Sequence, residues 1–253
     1  MIIEKISQTD NTHNTQIESN LMGIRNQIKY FTQHKLGLLN LASGLETNFL
    51  SLKGSLTGSY SQSGEDIFVK DYFENKVGFY LDIGVNHPVY LSNTYLLYQS
   101  GWHGLTVEPI PFLYKINQAN RSRDIQLNAG VDKENGTLDF FELIPNALST
   151  FDRDRAERLI NKGVVLVAKY EVKVLTLKSI FEEIIPGQKV DFLSIDTEFF
   201  DLQCLQGNDW SLLRPQLICC ERGERSEISE LLNGVGYKAI KNIGHNTFFE
   251  LIS

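Results

Sequence analysis

Acidic residues follow several short apolar runs of the sequence, where each would stand at the end of a buried strand. Asp82 and Gly84 close one run, and Glu108 closes the next. A glycine at a strand end lets a ligand approach the backbone closely. A carboxylate at the following strand end can accept hydrogen bonds from the hydroxyls of a ribose. An acid placed before the glycine suits an amine-bearing ligand better than a phosphate.

The phosphate-binding motifs of nucleotide enzymes are absent from the sequence. It contains neither G-x-G-x-x-G nor G-x-x-x-x-G-K-[ST], which argues against NAD and ATP as ligands. An adenosine ligand without phosphate, with a positive charge and an amino acid tail, fits Asp82 and Glu108 better. S-adenosylmethionine meets that description.

A second group of acids follows two later apolar runs. Asp196 and Glu198 come after one of them, and Glu221 comes after the other. Carboxylates that converge in this way could bind Mg²⁺ or Mn²⁺. His87 and His245 are candidates for a catalytic base or a further ligand, because histidine titrates near neutral pH. Asp196 is the first candidate for the acid that acts on an acceptor.

Composition predicts a globular, cytoplasmic protein. The 253 residues are 42% hydrophobic, and the net charge of −7 argues against nucleic acid as a partner. The first twenty residues lack the apolar stretch of a signal peptide, and no run approaches the ~18 residues that a membrane span needs. Three cysteines, two of them adjacent, do not indicate a disulfide scaffold or a metal finger.

Strand and helix patterns alternate from residue 64 onward. Apolar runs of strand length, with helical segments between them, predict a doubly wound α/β fold whose sheet is mostly parallel. Such folds bind ligands beyond the carboxyl ends of their strands. The predicted strands cover 78–84, 104–110, 125–131, 137–143, 191–196 and 215–221, and a terminal hairpin covers 237–242 and 247–251.

Residues 1–58 differ from the rest and predict an N-terminal helical extension. Apolar positions recur at helical spacing from Leu21 to Phe31 and again from Leu38 to Leu52, and the glycine-rich exit after that predicts a loop. The two helices could pack on the main domain, associate with a second subunit to form a homodimer, or act as a lid. Residues 59–253 are predicted to form the catalytic domain.

The chain resembles the FkbM-type family of S-adenosylmethionine-dependent methyltransferases. The stretches that match include SQSGEDIFV (61–69), FYLDIGVNHPVYLSNTYLLYQSGWHGLTVEP (79–109), RDIQLNAGV (123–131), ALSTF (147–151), DFLSIDTE (191–198) and DWSLLRPQLICCE (209–221). One departure stands out, because Phe199 replaces the glycine that the family usually has after Asp-x-Glu. Phenylalanine lacks the backbone freedom of glycine, so we expect an altered loop there.

The resemblance implies the Rossmann-like, seven-stranded fold of class I methyltransferases. It also implies S-adenosylmethionine as cofactor, with Asp82 at the methionine ammonium, Glu108 at the ribose and the backbone near Val131 at the adenine. The implied cofactor site comprises Gln62, Asp82, Gly84, Asn86, Ser92, Asn93, Glu108, Asn128, Val131 and Asp132. Ser92 is also a candidate for a plain helix cap.

The resemblance also implies a function, with alternatives. The first hypothesis is O-methylation of a small or carbohydrate-like acceptor, since the family is associated with glycan and secondary-metabolite tailoring. The second is a non-catalytic member that binds the cofactor and serves in assembly through its N-terminal helices. An N-methyltransferase is a third, disfavoured because no Asn-Pro-Pro-Tyr-like motif occurs.

Overall fold

The computed structural model describes residues 50–52, 54, 56–221 and 226–252. Ten strands lie within this part of the chain. They are β1 (Phe79–Ile83), β2 (His103–Val107), β3 (Ile125–Leu127), β4 (Gly130–Val131), β5 (Gly136–Ile144), β6 (Val165–Leu175), β7 (Phe192–Ile195), β8 (Leu217–Glu221), β9 (Tyr237–Ile243) and β10 (Asn246–Leu251). Seven of them form the main sheet, in the order β3-β2-β1-β7-β8-β10-β9.

Helices connect the strands. They are α1 (Glu65–Tyr72), α2 (Tyr95–Gln99), α3 (Pro111–Asn120), α4 (Arg153–Asn161), α5 (Leu177–Glu183), α6 (Asp201–Gln206) and α7 (Ser226–Gly234). Asp152 caps α4 by accepting a hydrogen bond from the Arg155 N–H at 2.9 Å. Thr176 caps α5 in the same way, with Ser179 as the donor. Among the described residues, no helix has the length and apolar character needed to cross a membrane.

The main sheet is the doubly wound sheet that the sequence predicts. Strands β3, β2, β1, β7 and β8 run parallel, and β10 runs antiparallel between β8 and β9. This is the strand arrangement of class I methyltransferases, so the predicted fold class is confirmed. The carboxyl ends of the parallel strands therefore meet at one edge of the sheet, where ligands bind in such folds.

Both faces of the sheet are buried, as parallel strands require. Leu81, Ile83 and Ile195 belong to one core cluster, whereas Tyr80 and Phe192 from the same strands belong to the other. Cysteines lie in both layers: Cys204 and Cys220 are buried in the first cluster and Cys219 in the second. All three are unbridged.

A second, three-stranded sheet with the order β4-β6-β5 was not predicted from the sequence. The run over 125–131 was expected to be one strand, but it divides into β3 in the main sheet and β4 in this small sheet. The predicted strand over 137–143 is present as β5 and pairs with the long β6. Helix α4, between β5 and β6, was also not predicted. We call residues 130–175 the insertion.

Most of the predicted N-terminal extension lies outside the described residues, including the helix from Leu21 to Phe31. Residues 50–52, 54 and 56–57 are helical, although the glycine-rich exit predicts a loop there. Leu50 packs against the core, and the Tyr60 hydroxyl donates to the Ser51 carbonyl at 3.3 Å. The end of the segment 1–58 therefore packs on the main domain.

Candidate active site

A crevice opens at the carboxyl edge of the main sheet, between the sheet and the insertion. Five of the predicted site residues line it: Gly84, Asn86, Glu108, Val131 and Asp196. The insertion contributes the opposite wall, which consists of Phe140, Asn146, Ala147, Ser149 and Phe151. The crevice thus combines the carboxylates of two strand ends, Glu108 and Asp196, with apolar and aromatic walls.

Gly84, directly after β1, lies in close contact with the end of β7. Its φ is +83°, a conformation that residues with a side chain rarely adopt, and a Cβ here would lie 2.1 Å from the Asp196 carbonyl oxygen. Only glycine fits such a position without moving the backbone. The exit of β7, which carries Asp196, therefore lies directly against the turn after β1.

Glu108 lies immediately after β2 and is almost completely buried. Its two carboxylate oxygens accept hydrogen bonds from the Asn86 N–H and the Ile110 N–H, each at 2.8 Å. Burial raises the pKa of Glu108 to about 8, against the opposing effect of the two backbone donors. The nearby charges of Glu142 and Asp82 raise this pKa further.

The segment after β3 forms the floor beside Glu108. Asn128 does not line the crevice, but its Nδ2 donates to the carbonyl oxygens of Glu108 at 2.8 Å and Pro109 at 3.0 Å. Asp132 lies behind the lining, buried, and its N–H donates to the Leu175 carbonyl at 3.0 Å. Both residues therefore hold the backbone that carries Val131 in place.

Asp82 lies below the crevice rather than among the residues that line it. Its Oδ2 accepts a 2.5 Å hydrogen bond from the Thr94 hydroxyl and lies 3.7 Å from Nη1 of the buried Arg121. Burial raises the pKa of Asp82, while Arg121 and the Thr94 hydroxyl act in the opposite direction. The Asp82 charge in turn raises the pKa of Glu108 and of Asp196, which shows that all three acids share one electrostatic environment.

Three other predicted cofactor residues lie away from the crevice lining. The Ser92 hydroxyl accepts hydrogen bonds from the N–H groups of Thr94 at 3.3 Å and Tyr95 at 3.1 Å, so it stabilises the turn that leads into α2. Asn93 donates through Nδ2 to the Ser194 hydroxyl at 3.3 Å. Gln62 is exposed, in the segment before α1.

The second acidic group comes together as the sequence predicts. Asp196, Glu198 and Glu221 each offer a carboxylate oxygen within 4.8 Å of the others. Burial raises the pKa of Asp196 well above its usual range, and the charges of Glu221, Asp201 and Glu198 add to that effect. Glu198 also forms an ion pair with Arg155 of the insertion.

Phe199 adopts the backbone conformation that glycine would favour. Its φ is +80°, and the preceding Glu198 has a φ of +54°. The Arg155 guanidinium lies 4.2 Å from the centre of the Phe199 ring, and the Thr150 hydroxyl donates to the Glu198 carbonyl at 3.1 Å. Phenylalanine therefore does not remove the left-handed conformation here, contrary to our expectation of an altered loop, and contacts from the insertion stabilise that conformation.

The two histidines occupy different surroundings. His87 Nδ1 accepts hydrogen bonds from the N–H groups of Val89 at 3.1 Å and Tyr90 at 3.0 Å. Burial lowers the pKa of His87 to about 4, so its ring is uncharged at neutral pH. His245 is exposed in the turn between β9 and β10, and this turn lies at the carboxyl edge because Asn246 pairs with Glu221.

Several residues of this region were missed by sequence reasoning. Thr94 and Arg121 contact Asp82, Arg155 and Thr150 contact the loop after β7, and Phe151 belongs to the insertion wall. Thr94, Thr150 and Phe151 lie within stretches that match the family, whereas no local pattern marks Arg121 or Arg155. Their roles arise from tertiary contacts between segments distant in the chain.

The sequence was also compared with known protein families and with curated proteins. The sequence matches the family model described as the methyltransferase FkbM domain over residues 82–239. No curated protein matches the chain.

Two of the solved structures that the chain is similar to are described as methyltransferases, and both are distant in sequence. One is a candidate caffeoyl-CoA O-methyltransferase from Staphylococcus aureus, with 10% identity and a TM-score of 0.43 over 90% of this chain and 98% of that one. Another is a TehB-like SAM-dependent methyltransferase from Corynebacterium glutamicum, with 11% identity and a TM-score of 0.41 over 84% of this chain and 99% of that one.

The family match covers more than half of the chain, and it includes the strand ends that form the crevice. Membership implies S-adenosylmethionine as the methyl donor. The chain belongs to the FkbM family of methyltransferases.

Proposed function

We propose that the protein transfers the methyl group of S-adenosylmethionine to an oxygen atom of a small or carbohydrate-like acceptor. The observation that supports this most directly is the position of Asp196, which lines the crevice and also belongs to the acidic group with Glu198 and Glu221. One carboxylate thus stands where a cofactor and an acceptor would meet.

The residues of the crevice suit this cofactor. Glu108 and the backbone at Val131 line the crevice, where they can contact the ribose hydroxyls and the adenine, and Asp82, outside the lining, can supply a negative charge for the ammonium. The apolar walls exclude water from the reacting atoms. When bound, S-adenosylmethionine supplies a methyl group on a positively charged sulfur. Acids that raise one another's pKa favour a cationic ligand over a neutral one.

Asp196 is the proposed acid on the acceptor side. An alcohol is a poor nucleophile, so a neighbouring group must accept its proton as the new bond forms. The Asp196 carboxylate is half-buried at the exit of β7 and can accept that proton. His87 and His245 stay as secondary candidates, although the Nδ1 atom of His87 is already bonded to two backbone N–H groups.

A divalent metal is an alternative way to activate the acceptor. Asp196, Glu198 and Glu221 offer hard oxygen ligands at the spacing that Mg²⁺ or Mn²⁺ would need. Arg155 already provides a positive charge at Glu198, however, and would compete with a metal there. If a metal takes part, EDTA should abolish transfer and Mg²⁺ or Mn²⁺ should restore it; unchanged activity in EDTA would exclude this alternative.

Cofactor identity can be tested by thermal unfolding with S-adenosylhomocysteine, which should raise the melting temperature because it binds only the folded state. NAD and ATP are the negative controls. Glu108→Ala should weaken the shift, whereas Asp209→Ala, on the exposed surface away from the crevice, should retain it. If both variants keep the full shift in melting temperature, Glu108 does not belong to the cofactor site.

Acceptor identity can be tested with S-adenosylmethionine labelled in the methyl group. Sugars, polyols, phenols and amines form the panel, and the labelled product is analysed for methyl ethers and methylamines. Methyl ethers support O-methylation, and methylamines would favour the N-methyltransferase alternative. Binding of S-adenosylhomocysteine without transfer to any acceptor would favour a non-catalytic assembly role.

The proposal also covers the location of the protein, which we propose is the cytoplasm, and the role of the N-terminal segment. We propose that residues 1–58 extend the catalytic domain, either over the acceptor site or into a homodimer. Because Leu50 and Ser51 contact the domain, the truncation should end at residue 49. It should spare cofactor binding while lowering turnover or the hydrodynamic size. A truncated protein with unchanged activity and size would contradict both roles.

A further inference from the structure

A buried polar network lies beneath the crevice, and neither the sequence motifs nor the proposed function accounts for it. Its centre is Arg121, directly after α3, whose side chain has no exposed surface. Its Nε lies 2.9 Å from Asp124 Oδ2, and its Nη2 donates to the Tyr80 hydroxyl at 3.0 Å. The same Nη2 donates to the Thr94 hydroxyl at 2.6 Å. A buried guanidinium is costly unless it is paired in this way.

The direction of the hydrogen bonds in this network is fixed. A guanidinium can only donate, and a threonine hydroxyl carries a single hydrogen. Because Thr94 accepts from Arg121, its own hydrogen is directed at Asp82 Oδ2, 2.5 Å away. Arg121 Nη1 faces the same oxygen at 3.7 Å. Thr94 and Arg121 therefore act on one oxygen of Asp82 and set the orientation of its carboxylate.

Asp124 and Asp82 have different neighbours. Burial raises the pKa of Asp124, and the charges of both Arg121 and Arg123 oppose this rise. Asp82 has hydrogen bonds from the Thr94 and Ser194 side chains, whereas Arg121 Nη1 stays 3.7 Å away. A carboxylate has about four acceptor sites, so Asp82, two residues before the crevice residue Gly84, can accept a further donor such as an ammonium group.

We propose that Thr94 and Arg121 are positioning residues for the methionine end of the cofactor. They hold the Asp82 carboxylate in one orientation, so that it receives the ammonium group of S-adenosylmethionine. The inference rests on the proposed cofactor. It assigns a role in affinity for the amino acid tail and none in recognition of the adenosine.

Two ligands separate these roles. S-adenosylhomocysteine carries the amino acid tail, whereas 5′-methylthioadenosine has the same adenosine and sulfur without it. Calorimetric titration of both ligands is performed on the full chain and on Thr94→Val, which keeps the side-chain shape but removes the hydroxyl. We expect Thr94→Val to weaken S-adenosylhomocysteine about tenfold, which is ~1.4 kcal/mol, and to change 5′-methylthioadenosine less than about twofold. Thr94→Ser, which restores the hydroxyl, should return the affinity towards that of the wild type.

A second variant covers the case in which Thr94→Val does not fold. Arg121→Lys keeps the positive charge but cannot bond Thr94, Tyr80 and Asp124 together. It should show the same selective loss for S-adenosylhomocysteine. Equal weakening of both ligands would mean that the network only supports the fold, and unchanged affinity for both would also overturn the inference. A wild type that binds neither ligand would instead contradict the proposed function.

Discussion

The two halves of the site are built in different ways. Around Glu108 and Gly84, the position of each group follows from the main sheet, because strand ends, a glycine turn and backbone donors fix it. Around Glu198 and Phe199, the backbone is left-handed and its support comes from the insertion. The comparison indicates that the region where we propose cofactor binding takes its strand-end geometry from the main sheet, whereas the region where we propose acceptor binding is supported by side chains of the insertion.

The largest effect should come from the acid that the two halves share. Asp196→Asn keeps the size of the side chain and removes its charge, so methyl transfer should fall about 100-fold or more. The melting-temperature shift with S-adenosylhomocysteine should persist, since the cofactor side is unchanged. Transfer of the labelled methyl group measures the first quantity, and Asp209→Asn is the surface control. Turnover close to that of the wild type would direct attention to His87 or His245.

Gly84→Ala tests the close contact between the turn after β1 and the end of β7, where the two halves of the site meet. The new Cβ would meet the Asp196 carbonyl at 2.1 Å in a backbone with φ of +83°, so unfolding free energy should fall by about 2 kcal/mol or more. Urea denaturation measures the change. Gly163→Ala is a matched control, because its φ is +92° and no atom lies within 4 Å of its added Cβ. The control should cost about 1 kcal/mol, from backbone strain alone.

Ionisation of Glu108 should make the cofactor side sensitive to pH. With a pKa of about 8, Glu108 is about one-tenth ionised at pH 7, so affinity for 5′-methylthioadenosine should rise about tenfold between pH 7 and 9. That ligand has no group that titrates in this range. Glu108→Gln should bind with a flat pH profile, and a slope that survives this substitution would assign the titration to another group.

The same raised pKa predicts the effect of pH on the free protein. The folded state binds the Glu108 proton more tightly than the unfolded chain does, so this carboxyl favours folding most at low pH. Its contribution is lost progressively as the pH rises from about 4.5 through about 8. Urea midpoints of the wild type should therefore fall more steeply over this window than those of Glu108→Gln.

The smallest effect should follow from Phe199→Gly, which restores the residue that the family usually has. Relief of the positive φ favours the variant, while the lost contact with Arg155 and the added freedom of the unfolded chain oppose it. Stability should therefore change by no more than about 1 kcal/mol. Affinity for S-adenosylhomocysteine should stay within about twofold, and a larger loss would show that the halves are not separable.

The sequence predicts the sheet well because its buried strands are short apolar runs. It also places Gly84, Glu108 and Asp196 at strand ends, where the structure brings them into one crevice. Within the insertion, β5 was predicted, whereas α4 and most of β6 were not. Most side chains of β6 are partly or fully exposed, so it lacks the buried apolar run by which the other strands were recognised. Arg121 and Arg155 escaped as well, since the contact of Arg121 with Thr94 spans 27 residues of the chain and that of Arg155 with Glu198 spans 43.

The three buried cysteines can be used to measure when the core of the protein becomes accessible to solvent. Burial raises the pKa of all three thiols, so none reacts readily while the layers are closed. Cys219 lies on one face of the sheet, and Cys204 and Cys220 lie on the other. Alkylation followed by peptide mass analysis would therefore time the exposure of each face separately. Cys204 also donates to the Val131 carbonyl at 3.3 Å. A nucleoside bound at Val131 should therefore slow the alkylation of Cys204.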